Sequence, residues 1–285
     1  MCSFFIFYVF TCFGFFCLNV NADIAIAHDG LPIYYEVHGK GDKFLMLGTG
    51  TAGPRPMSFA RGVEVPDALK ESFSTAKQKW IDELGDDYRL IFVEYPGLDP
   101  KMYTLTPATM TRDYLAVADA AGADEFAWAG FSWGCVCGLQ IALRTERMKA
   151  LACGGFPTLD GIYDDMRLTT KTQIEKPTSF YGMGPYFVPE MSRQFNTFYM
   201  ALESFNDRAI QGALKMPRLS WIGDQDLPTL NGEPLTHMGQ IIVNNKAELE
   251  ELGWDVIIVP GKNHLDGGSP EVQVPIIKEW LSKNY

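Results

Sequence analysis

Little of this chain is basic. Its 285 residues include 24 Lys or Arg against 35 Asp or Glu, a formal charge of −11, and the basic residues form no block. Phosphate backbones and anionic membranes are held by clustered positive charge, so nucleic acid is excluded as an expected partner. Cysteine is scarce as well. Of the six, Cys2, Cys12 and Cys17 fall in the first stretch, leaving Cys135, Cys137 and Cys153. An odd trio without Cys-x-x-Cys spacing makes neither a disulfide framework nor a zinc site, and these three are expected to be small buried thiols. No Asn-x-Ser/Thr acceptor, internal repeat or low-complexity tract occurs outside the Phe-rich beginning. No apolar run reaches the roughly 20 residues that a membrane-spanning helix needs.

The nearest to such a run is residues 1–22, uncharged, with an apolar core of about 15 residues and Val20-Asn21-Ala22 resembling a small-residue cleavage site. It reads as a removable signal peptide, which implies the secretory pathway and no stable membrane insertion once it is cleaved. Against this, no Lys or Arg precedes Lys40 to form a basic n-region. An uncleaved anchor and a mistaken start of the reading frame are the alternatives, and without a genuine leader the protein would be cytoplasmic.

What is abundant is alternation. An apolar share of 47% suits one globular domain. The pattern predicts a hairpin over residues 24–37, a buried strand at 44–47 that empties into the Gly-rich loop 48–54, and a helix over 66–84. Strands at 89–94 and 125–129 flank a helix at 107–121, and a helix over 135–147 leads to a strand near 150–153. Strands return at 218–222 and 254–259, with helices at 235–252 and 269–283. Such alternation specifies an α/β fold with a mostly parallel central sheet and helices on both faces, built from residues 23–159 and 217–285. Residues 160–216 break the rhythm, rich in aromatics and poor in strand signals, and read as a mainly helical insertion.

Gly130-Phe131-Ser132-Trp133-Gly134 lies between a predicted strand and a predicted helix, the context of a nucleophile elbow. The plain alternative is a turn in which Ser132 caps the next helix. A serine needs a base, and there are four histidines. His28 and His38 sit in or near turns and His237 at a helix start. His264 follows the last predicted strand, on the edge where the elbow opens, so it is the candidate base. An acid to orient it should leave the preceding strand, where Gly223-Asp224-Gln225-Asp226 supplies two carboxylates.

At these residues the chain resembles the α/β-hydrolases. Tyr35-Glu36-Val37-His38-Gly39, Tyr95-Pro96-Gly97 and the helix over 113–122 extend the likeness across roughly residues 30–283. The Gly-x-x-Asp turn of that family selects Asp226 over Asp224, and Ser132, Asp226, His264 follows its chain order. The resemblance implies an oxyanion hole from the N–H groups of Trp133 and Gly50, with Thr49 as the substitute for Gly50. Here the chain departs from the pattern, since Leu47-Gly48-Thr49-Gly50 replaces the usual His-Gly. A nucleotide-binding reading of that loop lacks the Gly-x-x-Gly or Gly-Lys-Ser/Thr continuation. The implied activity is cleavage of an ester or related acyl bond in a small apolar substrate through an acyl-enzyme, with no metal or organic cofactor. The insertion would be a lid whose aromatics line an acyl pocket. Acyl transfer on the same triad and a ligand-sensing pseudoenzyme are the competing functions, while a serine argues against the dehalogenase and epoxide hydrolase branches, which use aspartate there.

Overall fold

The computed structural model describes residues 23–48, 67–95, 104–176, 178–181 and 189–285. The proposed leader at 1–22 lies outside them. The chain enters through an antiparallel hairpin of β1 (Asp23–Ile26) and β2 (Pro32–His38), with Ile24 opposite Tyr34. Then come β3 (Lys43–Leu47), α1 (Asp67–Leu84), β4 (Tyr88–Val93), α2 (Pro107–Ala120), β5 (Phe126–Phe131), α3 (Trp133–Ala142) and β6 (Met148–Gly154). A helical stretch follows, with α4 (Tyr163–Glu175), α5 (Pro189–Met200) and the short α6 (Asp207–Ile210). The core resumes at β7 (Arg218–Gly223), passes through a small hairpin of β8 (Thr229–Leu230) and β9 (Glu233–Pro234), and ends with α7 (Met238–Glu251), β10 (Trp254–Val259), α8 (His264–Gly267) and α9 (Pro270–Asn284).

Eight strands form one sheet in the order β1-β2-β4-β3-β5-β6-β7-β10, parallel from β4 to β10. All six residues of β5 and of β7 are buried, as strands covered on both faces require. Their alternation divides the interior in two. Phe126 and Trp128 pack with Tyr114 of α2 and Leu139 of α3, whereas Ala127, Ala129 and Trp221 pack with Trp80 of α1 and with Ile277 and Trp280 of α9. Trp128 stands edge-on to Tyr114 at 4.9 Å, and its indole N–H donates to the Gly134 carbonyl at 3.0 Å, fastening α3 to β5. Cys135, Cys137 and Cys153 are buried free thiols, and burial pushes the first two well above the usual thiol range.

Three details differ from the sequence-based expectation. α3 stops at Ala142, five residues early, because the chain must turn back in time to begin β6 at Met148. The hairpin of β8 and β9 was not expected, its strands being too short for a periodic signal. The segment after β10 is not only loop, since Asn263 caps a single turn of α8 by accepting from the Asp266 N–H at 2.9 Å. Between β6 and β7 the described residues include the helices α4, α5 and α6. Arg208 ties this layer to the core by bridging Asp160 and Glu248 at 2.6 and 2.5 Å, and the guanidinium holds the Asp160 carboxyl below its usual range. Among the described residues no helix is long and apolar enough to cross a membrane.

Candidate active site

Ser132 is the one residue between β5 and α3, and its backbone is forced to φ 57°, ψ −119°. A serine in this region is strained, and the surrounding structure must hold it there. Two contacts do so. The Ser132 N–H donates to the Gly154 carbonyl of β6 at 2.7 Å. Helix and strand approach so closely that a Cβ on Gly130 would stand 2.3 Å from the Gly134 carbonyl oxygen, which explains the glycine before the serine. The Ser132 side chain makes no capping bond to α3, so the plain helix-cap alternative does not describe it.

The hydroxyl points instead to His264. Nε2 of that imidazole lies 3.0 Å from Ser132 Oγ, and Nδ1 lies 2.8 Å from Asp226 Oδ2. Ser132 leaves β5, Asp226 follows β7 and His264 follows β10, all at the carboxyl edge of the parallel sheet. Asp226 is fully buried and His264 8% exposed, so the pair interacts out of bulk water. The Asp226 backbone is fixed at both ends: its N–H donates to the Gly223 carbonyl and its carbonyl accepts from Gly239.

The neighbouring acid is occupied differently. Asp224 Oδ1 accepts from the Gly261 N–H at 2.7 Å, and the Gln225 N–H donates to the Lys262 carbonyl at 3.0 Å. The two loops lie so close that a Cβ on Gly223 would meet that carbonyl oxygen at 2.0 Å. Asp224 thus anchors the loop that carries His264, while Asp226 reaches the ring itself. The other histidines are engaged elsewhere, His28 on Asp113, His38 on Glu36, and His237 as the cap of α7.

Tyr181 escaped sequence reasoning. Its ring lies parallel to the imidazole at 4.3 Å between centroids, and its hydroxyl donates to Asp226 Oδ1 at 3.2 Å. Burial, then the nearby Asp226 charge, pushes its phenol well above the ordinary value, so the hydroxyl stays protonated and keeps donating. In the sequence it was visible only as one aromatic among many.

Above Ser132 lies a cavity of about 100 Å³. Phe131, Trp133, Phe156, Phe180 and Phe195 supply apolar wall, and Thr169, Thr170 and Gln173 of α4 a polar strip. Trp133 opens α3, where a backbone N–H has no intrahelical acceptor and remains available to an anion. Thr49 and Gly50, expected to supply the second donor, lie outside the described residues. Among the described residues no cluster of His, Cys, Asp and Glu is arranged to hold a metal.

No protein-family model matches the chain. In sequence it is 27% identical over 144 residues to a protein assigned as the carbamate hydrolase RutD, from Azorhizobium caulinodans. That match covers 47% of this chain and 46% of the relative, so the likeness spans about half the relative's length. Solved structures resemble it over nearly its whole length. An esterase from Thermogutta terrifontis superposes with a TM-score of 0.59 at 15% identity, covering 92% of this chain and 98% of that one. An epoxide hydrolase variant from Vigna radiata gives 0.54 at 12% identity, covering 93% and 99%. At such identities the likeness is one of fold, and the fold is that of the α/β-hydrolases.

Proposed function

We propose that this chain is a serine hydrolase that cleaves an ester or related acyl bond of a small substrate through a covalent acyl-enzyme. The observation that carries the reading is the hydrogen-bonded chain from Ser132 Oγ through both nitrogens of His264 to Asp226, with the serine held in a strained backbone. With Nδ1–H donating to Asp226, Nε2 is left as the acceptor for the Ser132 proton. The serine oxygen then attacks the carbonyl carbon, and the oxyanion rests on the Trp133 N–H and on one from the loop after β3, for which Gly50 is the choice and Thr49 the substitute. Collapse expels the leaving group, protonated by His264. Water, deprotonated by the same imidazole, releases the acyl group and restores the serine.

The similar folds include both an esterase and epoxide hydrolases, so it is the serine at the elbow, in place of an aspartate, that supports this reaction over epoxide opening. A cavity of about 100 Å³ is well below the ~300 Å³ of pockets for drug-sized ligands and favours a short acyl group. The helical layer of α4 and α5 then serves as the lid. The test is fluorophosphonate labelling together with hydrolysis of p-nitrophenyl esters of graded chain length, by wild type and Ser132→Ala. Labelling and turnover that vanish together in the variant support the reading. A folded wild type that takes no label overturns it, and labelling without turnover favours acyl transfer or sensing.

A further inference from the structure

A buried threonine in a helix ordinarily satisfies its hydroxyl on the carbonyl one turn back. In α4 two threonines do so: Thr170 donates to the Met166 carbonyl and Thr172 to that of Leu168, each at 2.8 Å. Thr169, only 1% exposed, does not, and its Oγ1 is buried without a partner. One turn further, Gln173 is 6% exposed, and no hydrogen bond reaches its amide among the described residues. Residues 169 and 173 share a helix face, and both line the cavity that holds Ser132. Leu or Met at these positions would pack against Phe156 and Phe195 without leaving a polar group desolvated.

The described lining of the cavity also carries no charged side chain, neither Lys or Arg nor Asp or Glu. Tyr181 and Tyr199, which line it, are pushed by burial far above the ordinary phenol range and remain neutral. An ionic group on the substrate would enter without a counter-charge, whereas a neutral group that both donates and accepts would satisfy the amide and the hydroxyl together.

We propose that Gln173, assisted by Thr169, determines specificity by binding an uncharged carboxamide-type group on the substrate, so that the preferred ester is polar and neutral rather than a plain alkyl ester. This rests on the serine hydrolase reading. Gln173 is a specificity residue and takes no part in bond making. Its NH₂ donates to the carbonyl of the substrate amide.

The experiment compares p-nitrophenyl N-acetylglycinate with the similarly shaped pentanoate, spontaneous hydrolysis subtracted, for wild type, Gln173→Met and Thr169→Val. Wild type should favour the N-acetylglycinate in kcat/KM by about tenfold. Gln173→Met should reverse the effects, losing activity on the amide ester while gaining on the pentanoate, and Thr169→Val should move the ratio the same way by a smaller factor. Damage to the fold lowers both rates and cannot raise one of them. A wild type that is labelled by fluorophosphonate but does not discriminate, or variants that keep the wild-type ratio, overturn the proposal and leave the hydrolase reading standing. A folded wild type that neither labels nor turns over either ester overturns both.

Discussion

The sheet edge and the helical layer above it treat polar groups in opposite ways. At the edge the side chains of Ser132, Asp224, Asp226 and His264 are bonded within the protein. Ser132 and Asp226 both engage His264, Asp226 also accepts from Tyr181, and Asp224 accepts from Gly261. Across the cavity, the Thr169 hydroxyl is buried without a partner, and the Gln173 amide lines the cavity with no hydrogen bond from the described residues. The difference teaches where each side gets its order. The edge is organised before any ligand arrives, as proposed chemistry with no reorganisation at the reacting atoms would need. On the proposed specificity, the layer above it is completed by the substrate.

The sharpest way to break the edge is to remove its members one at a time. Ser132→Ala should lower kcat by about 10⁶ and abolish fluorophosphonate labelling, since a strained alanine has no oxygen to offer. Asp226→Asn should cost about 10⁴, because an amide can hold the imidazole in the wrong tautomer. Asp224→Asn should cost about tenfold or less while lowering the Tm by several degrees, because it weakens the fastening of the His264 loop without touching the ring. Steady-state kinetics and thermal melts on the three variants check this order. If Asp224→Asn proves as inactive as Asp226→Asn, anchoring the loop and orienting the ring are one function, and the distinction drawn between the acids is wrong.

The edge was also the part most legible in the sequence. Parallel strands that are buried on both faces read as short apolar runs, and the residues that leave them follow at once, so Ser132, His264 and the pair Asp224 and Asp226 could be named from position. The choice between Asp224 and Asp226 came from family likeness rather than periodicity; two positions apart, Asp224 bonds the neighbouring loop and Asp226 the ring. The layer above was legible only as helical and aromatic. Tyr181 lies outside any helix with a positive φ of 53°, so no repeat announces which way it faces. Gln173 and Thr169 were invisible for a different reason. A polar residue on a helix is normally on its solvated face, and only packing reveals that this one is turned inward.

Tyr181 joins the two regions, being carried with the helical layer yet bonded to the edge, and it gives a finer comparison. Tyr181→Phe keeps the stack on His264 and loses the 3.2 Å bond to Asp226, so kcat/KM should fall only a few-fold. Tyr181→Ala also removes the ring that walls the imidazole from water and should cost several tens-fold. Because the phenol is raised by burial and by Asp226, it remains protonated throughout the working range. The ratio of wild type to Tyr181→Phe should therefore stay flat from about pH 6 to 9. A ratio that changes across that range would mean that the hydroxyl ionises and that its role at Asp226 is other than donation.

The smallest effects test the layer itself, and stability reads them better than rate. Thr170 has its hydroxyl donating to Met166 and accepting from Asn196 Nδ2 at 3.1 Å, so Thr170→Val should destabilise by about 1 kcal/mol. Thr169→Val removes a hydroxyl that bonds to nothing. Valine has nearly the same shape and a similar helix propensity, so this variant should be neutral or more stable by up to about 1 kcal/mol. Urea unfolding with unchanged m-values would measure both. Adjacent threonines with opposite signs would mean that the fold tolerates a desolvated hydroxyl at 169 that it does not need, as expected of a group kept for a ligand. If both substitutions destabilise alike, the Thr169 hydroxyl has a partner within the protein, and the contrast between a completed edge and an incomplete layer above it narrows to Gln173 alone.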